Sequence, residues 1–296
     1  MNLHRARVTF ALFCCFAFMK IQFLGTAAAE GVPAMFCDCE SCKNIRLLGG
    51  RELRTRTQVL IDGDLSVDFP PEAYVHSIKY GFSLAGLKYI FVTHSHMDHF
   101  YAHDFILRGY RYASGFGSPL QIYGNKEVAA VFSECTRREM KPSVAPNVVM
   151  NEIMPYRRYL IGRYRLLTLP ANHSLTEDAL LFYIECGGRG YLHLHDTALP
   201  EEGIYGYLSE NGAKASLVSL DCTYAGRTGI NRPRHMNIDD CALVISKLKA
   251  AGVCGADTKF VITHFSHNSN PLTSRLALLE EQYGVVAAYD GLQFDI

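Results

Sequence analysis

The sequence predicts a single layered α/β domain, and three observations carry that prediction. Short apolar runs recur at strand length, amphipathic helical patterns fall between several of them, and no repeat or low-complexity linker divides the 296 residues. A composition of 49% hydrophobic and 20% charged residues is globular and excludes disorder, collagen and coiled coil. Lys plus Arg and Asp plus Glu both number 29, so no net field gathers a polyanion, and nucleic acid is not expected as a partner.

From the N-terminus, residues 8–18 (VTFALFCCFAF) form an apolar run behind His4, Arg5 and Arg7, and residues 26–29 supply the small side chains of a cleavage site. The run is shorter than the roughly 20 residues that cross a bilayer, so no stable membrane span is expected. Against a cleaved signal, residues 20–24 alternate like a first strand, and Met19 stands just before them. Residues 1–18 are therefore read as a leader or a mis-assigned start, and 19–296 as the domain. A cytoplasmic location is expected, with export the alternative if residues 1–28 are a signal peptide.

Further strands are expected at 57–61, 89–93, 120–123, 165–169, 180–185, 191–195, 217–220, 260–263 and 285–289. Residues 141–156, with three prolines, read as a long loop. The clearest helix is 237–250: Asn237 caps it, Asp239 and Asp240 suit its first turn, and Ile238, Cys241, Ala242, Ile245 and Leu248 share a face. A second helix is expected to begin at Pro271 and to carry Leu272, Leu276, Leu279 and Tyr283.

Chemistry concentrates in the hexapeptide HSHMDH at 94–99, just after an apolar strand, where α/β folds assemble their sites. Neutral imidazole and carboxylate suit Zn²⁺, Mn²⁺ or Fe²⁺. Four such groups within six residues can hardly all face one ion, so His94, His96, Asp98 and His99 point to two adjacent metals. Further along, Arg232, Pro233, Arg234 and His235 precede the capped helix. A helix start with two arginines favours an anion, and a phosphoryl group is the simplest, with His235 placed to protonate a leaving oxygen. Cys37, Cys39 and Cys42 are spaced more like metal ligands than crosslinks, although buried thiols or a disulfide remain alternatives.

The hexapeptide matches the HxHxDH motif, and the chain from about residue 20 to 296 resembles the metallo-β-lactamase superfamily. That resemblance implies a four-layer αββα sandwich with a metal pair at one edge. It assigns His94, His96 and His173 to one ion, Asp98, His99 and His264 to the other, and Asp196 as the bridge. It also places Asp98 near the nucleophilic water, and Asp62, ending the run Leu60, Ile61, Asp62, as an acid supporting the ligands, with a turn residue before Gly63 the equal alternative. His193 and His195, which flank Asp196 in an alternating strand, read as packed or supporting groups. Gly25 and Thr26, the run Gly31 to Pro33, and the three clustered cysteines resemble the phosphoribosyl cyclic phosphate phosphodiesterases of the carbon-phosphorus lyase pathway. In that branch the three cysteines, with a histidine three residues past the last active-site ligand, here His267, hold a structural zinc. An 18-residue leader has no counterpart there, the resemblance does not place the aromatic, Gly-rich stretch 108–117, and the long loop near Pro146 is a further departure that can reshape the pocket.

The expected function is a dinuclear metal-dependent hydrolase of small phosphodiesters, cyclic ones included, working through metal-activated water. Its expected cofactors are two divalent ions, Zn, Mn or Fe, and one structural Zn. Lactam, lactone or thioester hydrolysis on the same site is the alternative, and a non-catalytic metal-binding protein is the alternative from another class. Homodimerisation stays open.

Overall fold

The computed structural model describes residues 18–229, 231 and 233–296. Most of the apolar leader and Arg232 lie outside the described residues. Among those described, no helix is long and apolar enough to cross a membrane.

Chain order explains the architecture. The first half builds one sheet from β1 (Lys20–Gly25), β2 (Gln58–Ile61), β3 (Leu65–Val67), β4 (Tyr89–Phe91), β5 (Leu120–Gly124) and β6 (Val148–Glu152). The second half builds another from β7 (Arg157–Ile161), β8 (Tyr164–Pro170), β9 (Leu180–Cys186), β10 (Arg189–Leu194), β11 (Ala215–Asp221), β12 (Cys254–Thr263) and β13 (Val286–Ala287). Strand β14 (Gln293–Asp295) then returns to the first sheet beside β1, giving seven strands in each. The helices are α1 (Glu40–Leu48), α2 (Ala73–Tyr80), α3 (Lys126–Thr136), α4 (Gly203–Glu210), α5 (Ile238–Ala250) and α6 (Thr273–Tyr283).

Alternation along the strands divides the core into three slabs. Phe23, Phe91, Phe182, Tyr191, Leu217 and Val261 pack between the two sheets. Ile204 and Leu208 of α4, Cys241, Val244 and Leu248 of α5, and Leu276 of α6 cover the outer face of the second sheet. Ala73 of α2, Val128 of α3 and Phe105 cover that of the first. The result is the helix, sheet, sheet, helix layering that the family resemblance implies. Each fully buried large apolar side chain contributes about 1.5–3 kcal/mol, which makes the sandwich a rigid base for its loops.

Direction within the sheets positions the site. Strands β3 to β6 pair in parallel, as do β10 to β13, so their C-terminal ends gather at common edges. Strand β2 runs antiparallel to β3, which sends its C-terminal end the other way. At Gly25 the register with β2 shifts, and a Cβ would lie 2.0 Å from the Arg56 carbonyl oxygen. Only glycine lets the two backbones approach so closely.

Several expectations are corrected. The span 141–156 holds a 3₁₀ turn (Ala145–Asn147) and strand β6, whose prolines fall outside the ladder. Pro271 precedes the N-cap Leu272, so α6 starts later than expected. The buried stripe of α5 runs through Val244, with Ala242 only partly covered. Strands β3, β7 and β14, all short or at the rim of a sheet, carry too little alternation to stand out.

Candidate metal centre

The centre is built where parallel strands run out. After β4 the backbone N–H of Thr93 donates to Asp68 Oδ1 at 2.8 Å. The motif then folds into a tight turn, with the N–H groups of His99 and Phe100 both donating to the His96 carbonyl. That turn sends His94 and His96 one way and Asp98 and His99 another. Asp68, Asp196 and His264, each just past a strand, have φ of 64°, 54° and 62°. Left-handed backbone at non-glycine residues costs free energy and concentrates at functional sites.

Seven predicted ligands converge in two sets. The Nε2 of His94 and the Nε2 of His173 lie 2.9 and 3.4 Å from Nδ1 of His96. In the second set, His99 Nε2 stands 3.2 Å from Asp98 Oδ2 and 2.7 Å from Asp196 Oδ2, and His264 Nε2 stands 3.4 Å from Asp196 Oδ1. Asp196 Oδ2 is also 3.4 Å from His94 Nε2, so this carboxylate lies between the sets, as a bridge requires. Within each set the candidate ligand atoms are all within 4.8 Å of one another.

Local chemistry shows that these residues fit divalent cations. His99 Nε2, His264 Nε2 and Asp196 Oδ1 are buried with no hydrogen-bond partner among the described residues, a costly state for groups that face nothing. Burial, then the neighbouring His99, hold His94 well below the usual imidazole range. Burial likewise depresses His173, so both are neutral and free to ligate. Burial pushes Asp196 upward, but His264 and His99 more than reverse this and keep it ionised. His99 is pushed down by burial and raised well above its ordinary value by Asp98, Asp68 and Asp196. The carboxylates thus create surplus negative charge, which a cation in place of a proton would neutralise.

The opposite ring nitrogens are held by oxygens. His99 Nδ1–H donates to Asp68 Oδ2 at 2.7 Å, and His94 Nδ1 meets Thr93 Oγ1 at 3.0 Å. His264 Nδ1 meets Thr223 Oγ1 at 2.9 Å, and that hydroxyl donates to Asp221 Oδ1, also at 2.9 Å. His173 Nδ1 faces the Arg234 carbonyl at 3.4 Å. Such partners select the tautomer that points a lone pair at the metal. Asp62, expected in this supporting role, sits at the far end of antiparallel β2, where it accepts from Lys20 N–H and pairs with Arg163.

Sequence reasoning missed Asp68, Asp221 and Glu177. The first two end apolar strands, as Asp196 nearly does, and that shared position was the available signal. The Asp221 carboxylate also accepts from the N–H groups of Thr223 and Met236, which leaves it a holder of ligands more than a ligand. Glu177 accepts from Ser95 N–H at 3.0 Å, Ser95 Oγ at 2.8 Å and Asn125 Nδ2 at 2.9 Å. It thereby ties the His173 loop to the motif loop and to Asn125, the cap of α3.

His235 does reach the centre. Its Nδ1–H donates to Asp221 Oδ2 at 2.9 Å and lies 3.2 Å from Asp196 Oδ1. It lines a cavity of about 370 Å³ with Asn172, Leu199, Asn231, Pro233 and Asp240. Burial lowers its pKa, yet Asp221 and Asp196 raise it to about 11. The helix start beside it is not an open anion site: Asn237 and Asp240 cap α5 reciprocally. Arg234 is exposed, and Arg232 is outside the described residues. His193 and His195, buried between the sheets, pack against each other at 3.7 Å between ring centroids and are not ligands; His195 Nε2 meets Ser219 Oγ.

Cys37, Cys39, Cys42 and His267 form a separate group of four. His267 Nδ1 is 3.3 Å from Cys42 Sγ and 3.8 Å from Cys39 Sγ, and the cysteines are free thiols. Hydrogen bonds from Cys42 N–H and His267 bring the exposed Cys39 down to about 6, which favours the thiolate that metals bind.

Comparison with known proteins agrees with this fold. The family profile described as "Beta-lactamase superfamily domain" matches residues 57–265. Coenzyme PQQ synthesis protein B of Bradyrhizobium diazoefficiens is 39% identical over 46 residues, 16% of this chain and 15% of that relative's length. Among solved structures, a diphosphatase from the PhnP family superposes with a TM-score of 0.71 at 20% identity, covering 94% of this chain and 98% of that one. Zn²⁺-bound PqqB from Methylobacterium extorquens gives 0.66 at 18%, with 94% and 100% covered. The short form of human tRNase Z gives 0.66 at 16%, with 93% and 98% covered. At these identities the structural likeness speaks for the fold.

Proposed function

The chain belongs to the beta-lactamase superfamily, and from that premise we propose that it is a dinuclear metal-dependent hydrolase of small phosphodiesters, cyclic ones included. His94, His96 and His173 would hold one ion and Asp98, His99 and His264 the other, with Asp196 available to both. Zinc, manganese and iron all suit these donors, and zinc suits the Cys37, Cys39, Cys42 and His267 group as a structural ion. When bound, the divalent pair supplies Lewis acidity toward a phosphoryl oxygen and acidifies water.

The observation that carries the substrate class is His235: a largely buried imidazole that faces a cavity beside the ligands, donates to Asp221 and lies beside Asp196. Alkoxide leaving groups need a proton, and in this reading His235 supplies it. Asp221 fixes its ring, and in this reading Asp98 accepts a proton from the attacking water. Asn172 and Asn231 offer amides to the remainder of a polar substrate. Among the similar folds, those described as a diphosphatase and a tRNase Z act on phosphate esters or anhydrides, which supports the reading.

His235→Ala is the test. A positioned acid is worth about 10²- to 10⁴-fold, so hydrolysis of alkyl phosphodiesters should fall by that much. Nitrophenyl diesters, whose leaving group needs little protonation, should lose far less, and bound metal should not change. Equal losses on both would remove His235 as the acid. If the metal-loaded wild type cleaved a lactam, lactone or thioester and no phosphodiester, the substrate class itself would be wrong.

A further inference from the structure

The stretch 108–117, which no sequence pattern explains, forms one wall of a second cavity of about 540 Å³ on the outer face of the first sheet. The cavity lies between α2, the turn at Leu84–Gly86 and the 3₁₀ segment Ala102–Leu107. Aromatic rings line it: Phe69, Tyr74, Phe105, Tyr112 and Phe116. Tyr74 and Tyr112, at the lip, are 62% and 59% exposed. The volume is in the range of small-molecule sites, and a hollow walled by rings is a poor host for water.

Two charged residues line the cavity, and they differ in kind. Arg108 donates to the carbonyls of Leu84, Leu87 and Ser118 and stacks 4.8 Å from the Phe116 ring, so its charge holds the wall loop in place. Asp104 is half-buried and has no hydrogen-bond or ion-pair partner among the described residues. A carboxylate beside apolar walls with its lone pairs unspent suits a cationic guest.

We propose that this cavity is a ligand site separate from the metal centre, and that it takes a small amphiphile with an apolar, ring-sized body and one ammonium group that pairs with Asp104. Phe69 gives the site a structural link to the centre. Its N–H donates to the His99 carbonyl at 2.7 Å, and its carbonyl accepts from Tyr101 N–H at 2.8 Å. The residue that walls the cavity is thus the next after Asp68, which orients His99.

The test is equilibrium binding to the metal-loaded protein of dansylcadaverine, an apolar fluorophore with an ammonium tail, and of N-pentyl dansylamide, which has the same chain without the ammonium. Dansylcadaverine should saturate at one equivalent and bind roughly tenfold tighter than N-pentyl dansylamide, as expected for a hydrogen bond to a charged partner. Asp104→Asn, which changes no volume, should erase that preference and leave N-pentyl dansylamide binding unchanged. Ala113→Trp, which fills the cavity, should weaken both probes at least tenfold; if it fails to fold, Leu107→Trp at the lip takes its place. Absent saturable binding, equal affinities for the two probes, a preference that survives Asp104→Asn, or binding indifferent to the filling substitution would each overturn the proposal.

Discussion

At the scale of single residues, the centre depends on buried acids that touch no substrate. Asp68 is fully buried and receives the N–H and hydroxyl of Thr93 as well as the ring N–H of His99. Its charge fixes the His99 tautomer, and removing such a support typically weakens metal affinity about 10- to 100-fold. Asp68→Asn keeps the shape and removes the charge. Chelator competition should show a loss of that order for one ion, with the ion of His94, His96 and His173 retained; equal retention of both would show that Asp68 only packs. Contiguity explains what the sequence revealed here. The four groups of the hexapeptide sit within six positions and announce a metal site directly. Asp68 and Asp221 are lone acids after short strands, and only the fold brings them under a histidine.

At the scale of elements, loops carry the ligands and two devices hold the loops. Glu177 joins the motif loop, the His173 loop and the cap of α3. Glu177→Ala should therefore weaken the ion held by His94, His96 and His173 more than its neighbour, read by stepwise metal titration; uniform weakening of both would mark a general loss of packing. The cysteine group is the second device. His267 lies three residues past His264, and the Phe265 carbonyl accepts from Ala28 N–H. A zinc there would fasten the His264 loop to the segment before α1. Cys39→Ser should remove one equivalent of zinc and lower Tm by roughly 4–8 °C, about 2 kcal/mol for a domain of this size, while activity falls only partly. A zinc content unchanged by the substitution, or a Cys37 to Cys42 disulfide found by mass spectrometry, would sink the clamp.

At the scale of the whole molecule, buried polar groups make stability depend on pH. His76 packs under the first sheet, with Nδ1 2.6 Å from Gln58 Oε1 and Nε2 2.7 Å from Thr55 Oγ1. Burial, with Lys79 adding to it, lowers its pKa from 6.5 to about 3. The folded pKa is below the unfolded one, so between these values the unfolded chain binds a proton that the native state refuses. The contribution of His76 is complete above pH 6.5 and is lost as pH falls through the window, by at most about 1.4 kcal/mol per pH unit. Urea unfolding at pH 7.5 and 5.5 should show a smaller drop for His76→Gln than for wild type; identical drops would assign the acid sensitivity elsewhere. That the domain is a layered α/β one was legible because strands and helices interleave, and its four-layer order followed from the family resemblance, whereas the edges were not legible. Strands β6 and β7 pair on one side only, and β14 is three residues long, so neither propensity nor periodicity marks them.

The return of β14 to β1 also imposes an order in time. Met19 and Ile296 exchange backbone hydrogen bonds at 3.0 Å in both directions, and Cys42 waits for a histidine 225 residues further on. A ribosome adding roughly 5–20 residues per second needs about 10–45 s to bridge that interval. Throughout it, the first strand emerges with an open edge and three closely spaced thiols stand without their imidazole. The edge of β1 and the cysteine cluster are therefore open to mispairing and oxidation until β14 and His267 are made.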